Sequence, residues 1–221
     1  MATTRRTYLW ALLLVGSIWG LVEATVGVSL KGSCARFLSG SILLGTTMFF
    51  TASAFAVTKR KWVVLLLPFI ASLFKFYSAF IVGVPVISGA IINPIFAFFT
   101  EVMAFFMILL IIKPELLERI HGQAALGAMS AVVAANLFPA VGMFTGIAAC
   151  VLPGTSVPLA LWGLPAAVAL SAVTVPLGFG FVRVIVPLVS TTRTTDARHA
   201  MWAYTALMIC LSLWGIYLLY H

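Results

Sequence analysis

At 221 residues, with 63% hydrophobic and 8% charged residues and a mean hydropathy of +1.18, the chain departs far from the roughly 45 to 50% apolar and 25% charged usage of soluble domains. That balance excludes a separate soluble domain and predicts an all-α integral membrane protein, a polytopic bundle with room for about six to eight spans of about 20 residues. The net charge of +8 comes from short Lys/Arg clusters between apolar runs and not from one polar face, so it reads as a topology signal and argues against nucleic acid as a partner.

The first span is expected over 8–29. Thr4-Arg5-Arg6-Thr7-Tyr8-Leu9 before it resembles a twin-arginine export signal, but a retained anchor with a basic flank explains the same residues and is the expectation here. Within it Gly16, Gly20 and Ala24 recur every four residues, the small-residue pattern that lets two transmembrane backbones approach closely. It reads as helix packing or as a docking face for a partner helix. Trp19 stands one turn before Glu23 on its own face.

The second span, 38–58, ends at Lys59-Arg60-Lys61, and the third, 62–83, carries Lys75. On the fourth, 86–112, Asn93, Ala97 and Glu101 follow at i, i+4 and i+8 with the small Ala90 and Ala104, a polar stripe suited to an inward surface. Pro94 lacks an N–H, so the turn from Ile87 to Asn93 is expected to open and offer backbone carbonyls. Met103 and Met107 read as flexible core filler.

The fifth and sixth segments, 122–150 and 159–190, are long and interrupted by Pro139, Pro153, Pro158, Pro165, Pro176 and Pro187. Kinks, partial unwinding and an extra short element are expected there. The fifth carries Asn136. A seventh span is expected over 199–220, so residues 1–198 form a six-helix bundle and 199–221 add a C-terminal span.

With seven spans, Arg5, Arg6, Lys59, Arg60, Lys61, Lys113, Arg119, Arg193 and Arg198 fall on one side, and only Lys31 and Arg36 on the other. The excess marks the cytoplasmic side, giving an N-terminus inside and a C-terminus outside. Counting about 1.5 Å per helical residue puts Glu23, Lys75 and Glu101 ~17 to 20 Å from the inner edge, together with Asn136. Asn93 lies further out. The three charges therefore share one layer, between the midplane and the outer half of a ~30 Å core.

A charge in hydrocarbon costs at least ~2.5 to 3.5 kcal/mol, so such residues face a protein interior or a watery cavity. A strut is one reading: Lys75 pairs with one or both glutamates and only organises the helices, with no guaranteed net gain in stability. A binding pocket or proton relay is the other, because two acids share one base and the surplus carboxylate is available to a proton or to a cationic group of a ligand. The candidate pocket comprises Trp19, Glu23, Lys75, Asn93, Glu101 and Asn136.

Other chemistry has little support. His121, His199 and His221 lie at loops or the terminus, and Cys34, Cys150 and Cys210 lack metal-ligand spacing, so no haem, zinc or other cofactor is expected. The cysteines read as small packing residues. Neither a nucleophile with a partner histidine nor a Gly-rich phosphate loop is present, so the chain is not expected to be an enzyme, and any energy from ATP must come from a partner.

Trp19-Gly20-Leu21-Val22-Glu23-Ala24, Lys75, and Asn93-Pro94-Ile95-Phe96-Ala97 followed by Glu101 together resemble the membrane substrate-binding subunits, or S components, of energy-coupling-factor vitamin transporters. The resemblance spans roughly residues 8 to 190. It implies a six-helix bundle that takes a vitamin or other small nutrient from the outer side of a cell membrane, of the bacterial inner-membrane type. It further implies docking through Gly16, Gly20 and Ala24 onto a partner membrane subunit coupled to two ATPases; the family's seam is alanine-based, and the seventh span departs from its pattern. Two other classes stay open. One is a structural subunit of a larger membrane complex; the other is a proton-coupled secondary transporter with Pro94 and Pro139 in matching halves.

Overall fold

The computed structural model describes residues 5–31, 38–146 and 150–190, with isolated positions 209, 211, 213 and 215. In an apolar solvent every backbone polar group must be bonded internally, and the described residues answer with helices. They are α1 (Arg5–Lys31), α2 (Ser39–Thr58), α3 (Leu67–Val82, entered through a 3-10 segment, Lys61–Leu66), α4 (Gly89–Ile111), α5 (Pro114–Leu117), α6 (Ile120–Leu137), α7 (Val141–Thr145), α8 (Leu159–Trp162) and α9 (Leu164–Ser190). Among the described residues, five segments are long and apolar enough to cross a membrane, namely Ser39–Thr58, Lys61–Ile81, Gly89–Ile111, Ile120–Thr145 and Leu164–Val184. The protein is thus a multi-pass membrane protein. The expected span 199–220 lies largely outside the described residues, although Leu213 packs beside Leu21, Ile70 and Tyr77 around Ala24 and Phe74.

Small residues decide which helices meet. The Gly16, Gly20 and Ala24 seam is filled from within the chain: a Cβ on Gly16 would fall 2.9 Å from Ile70, and one on Gly20 2.6 Å from Phe74. Contacts rising together from 16 and 70 to 20 and 74 make α1 and α3 parallel neighbours. The same device joins α2 to α9, where Gly45 meets Leu170 and Gly178 meets the Phe49 carbonyl. Two hydroxyls pin this pair, Ser53 Oγ at 3.3 Å from the Gly178 carbonyl and Ser41 Oγ donating to the Gly163 carbonyl at 2.9 Å.

Proline acts differently at its several positions. The fifth segment breaks as expected, with Pro139 inside a 3-10 turn (Phe138–Ala140) between α6 and α7. The short α8 supplies the extra element before α9. Pro94, against expectation, does not open α4: it sits inside a helix that starts at Gly89, with the Ile91 and Ile92 amides bonded to the Ser88 carbonyl. Its position in the second turn limits the loss to the α-helical donor of the Ala90 carbonyl. Likewise α9 runs unbroken through Pro176. Met103 and Met107 face outward rather than filling the core.

Candidate functional site

Glu23 on α1, Lys75 on α3 and Glu101 on α4 are all withdrawn from the surface, with 3%, 5% and 8% of each residue exposed. They form one electrostatic group: Lys75 attracts Glu23, and Glu23 repels Glu101. Each carboxylate is also held by a neighbour. Trp19 Nε1 donates to Glu23 Oε1 at 3.2 Å, which the i, i+4 spacing on α1 makes possible. The Thr47 hydroxyl on α2 is a hydrogen-bond partner of Glu101, and it lies 3.1 Å from the Leu43 carbonyl one turn earlier.

Two of the three charges border a space. A cavity of about 520 Å³ has Glu23 and Glu101 in its wall, with α4 contributing Ala90, Asn93, Pro94, Ala97, Phe98 and Thr100. Positions 90, 93, 97 and 101 recur at helical spacing, so the stripe read from the sequence does face inward; Ala104 alone leaves it, buried in the core. The opposite walls come from Ser39 to Leu44 at the start of α2, Ala134, Ala135 and Phe138 at the end of α6, and Ala167 of α9. Cys150, Leu159 and Ala160 complete the mouth. The loop there is closed by two backbone bonds, from the Leu152 amide to the Val157 carbonyl and from the Leu159 amide to the Cys150 carbonyl.

The direction of opening follows from connectivity. The starts of α2 and α4 and the end of α6 line the cavity, whereas Lys59 to Lys61 follow the end of α2, and Lys113 and Arg119 lie between α4 and α6. The mouth is therefore at the end of the bundle away from the basic loops. Glu101 lies about 18 Å of helix rise below Gly89, so the acidic pair forms a floor deep inside. Asn93 sits on the wall between, with its Oδ1 buried and lacking a hydrogen-bond partner.

Of the six residues proposed from sequence, Glu23, Asn93 and Glu101 line the cavity. Trp19 stands behind the wall, fully buried and edge-on to Phe98 with ring centroids 5.1 Å apart. It positions two lining residues, Glu23 and Phe98, without being one. Lys75 is likewise buried and outside the described wall. Asn136 does not join them: it is exposed, and its side-chain amide donates to the Val132 carbonyl at 2.8 Å. The buried face of α6 runs through Leu126, Ser130 and Ala134, and a residue two beyond Ala134 is rotated by about 200°. The azimuth of Asn136 about the α6 axis was misread.

The proposed docking residues also change meaning. Gly16, Gly20 and Ala24 are buried against α3 and so present no face to another protein. Cys150, expected to be a packing residue, is an exposed free thiol at the cavity mouth. The start of α2 was missed by the sequence reading. Its signal was the run Ser39-Gly40-Ser41, small polar residues at a helix start, which leaves room where larger side chains would close the mouth. Compared with known proteins, the chain matches no family model, no curated protein and no solved structure.

Proposed function

We propose that this protein binds a small solute in the cavity between α1, α2, α4, α6 and α9 and takes part in its uptake across the membrane. The observation that carries this reading is the cavity itself, with two buried carboxylates in its floor. A strut requires the charges to close on one another, and a 520 Å³ space bordered by both acids is of the size that holds small ligands. With α1 counted as a sixth span and the basic loops cytoplasmic, the mouth faces outward and the C-terminal segment adds a seventh span. The solute enters from outside and rests near the midplane.

The chain does no covalent chemistry in this reading. Energy comes from partner subunits, as the resemblance to energy-coupling-factor S components implies, and such a partner docks elsewhere than on Gly16, Gly20 and Ala24, which α3 already covers. The reading is tested by purifying wild-type protein and the cavity-filling variant Ala97→Phe in mild detergent, denaturing both, and identifying released small molecules by mass spectrometry. A stoichiometric compound present only with wild type is expected. Empty wild-type protein that travels with a large membrane partner would instead assign it to a structural assembly.

A further inference from the structure

We infer that the solute is an elongated organic monocation, an amine or amidine whose charged end rests on the Glu23 and Glu101 floor and whose largely apolar body lies along α4 towards Asn93. This rests on the solute-binding reading above and narrows it to one chemical class.

Charge decides the first point. The buried group holds two carboxylates and one ammonium, and of these only the two carboxylates line the cavity among the described residues. No Lys, Arg or His belongs to that wall among the described residues. An anionic solute would meet two acids and no exposed base in a medium where unpaired charge is very costly. A monocation balances the group, accepting attraction from both carboxylates and reducing their mutual repulsion.

Shape and polarity follow from α4. Asn93 and Glu101 are eight residues apart on one face, about 12 Å of helix rise. Between them lie Ala97 and Phe98, with Leu44, Ala134 and Ala135 opposite. The Thr100 hydroxyl on this stretch is already bonded to the Phe96 and Ala97 carbonyls, so the middle section is largely apolar and suits a hydrocarbon or aromatic body.

The test uses the full-length protein in lipid nanodiscs. A series of amines and amidines, tryptamine among them, is matched one to one with uncharged and carboxylate analogues of the same carbon skeleton, and binding is read by isothermal calorimetry. Cationic members are expected to bind, with uncharged and anionic analogues at least 10-fold weaker. Glu101→Gln is expected to lower cation affinity about 10- to 100-fold, the range for losing a hydrogen bond to a charged group. Glu23→Gln, with Glu101 intact, serves as the second variant if Glu101→Gln does not fold. Preferred binding of uncharged or anionic members overturns the cation inference but keeps the solute-binding reading. Absence of binding by every member, whatever its charge, removes both.

Discussion

At the residue scale the site is organised by side chains that do not touch the cavity. Trp19 supplies an N–H to Glu23 and makes a T-shaped ring contact with Phe98. Removing the donor while keeping an aromatic ring, as in Trp19→Phe, leaves a buried carboxylate oxygen short of one hydrogen bond and is expected to cost about 1 to 3 kcal/mol. Thermal unfolding in detergent, monitored by circular dichroism, checks this. Asn93 predicts the opposite sign. Its buried Oδ1 has no partner, so Asn93→Leu exchanges an unsatisfied acceptor for an apolar group of similar size, and the melting temperature should hold or rise while solute binding falls. A variant that loses both together would show that Asn93 serves the fold.

The elements explain why the charges come together at all. Ionic attraction does little to choose helix neighbours here, because small residues already decide how closely two backbones approach. Gly20 on α1 admits Phe74, and that contact sets Lys75, the next residue of α3, at the height of Glu23. Gly20→Leu should therefore destabilise the protein by about 1 to 3 kcal/mol through overpacking and disturb the charge group as well. Gly180→Ala is the control. A Cβ there meets nothing within 4 Å, so its melting temperature should be unchanged or slightly higher. Both are read from thermal unfolding curves.

At the scale of the whole molecule the decisive feature is that one end of the bundle is open and the other carries the basic loops. Cys150 makes this measurable because it is an exposed thiol at the mouth. With Cys34 and Cys210 changed to serine, a membrane-impermeant maleimide should label Cys150 in intact cells. In a background lacking all three native cysteines, Arg60→Cys should react only after the membrane is opened. Labelling of both positions from the same side would overturn the proposed orientation.

The positions of the five described spans and the multi-pass membrane class were legible in the sequence, because hydropathy depends on local composition alone. The stripe from Ala90 to Glu101 was legible for a similar reason, since residues on one helix share a known rotation. Azimuth between helices was not. Asn136 is on the wrong face of its helix, and the Gly16, Gly20 and Ala24 seam was visible without its occupant. Only the tertiary structure decided that α3 fills that seam, that Lys75 stands outside the described cavity wall, and that Glu23 and Glu101 border a space. Those are relations between elements, and they depend on how each helix is turned about its axis and on volume left unfilled between helices, which no periodicity along one chain encodes.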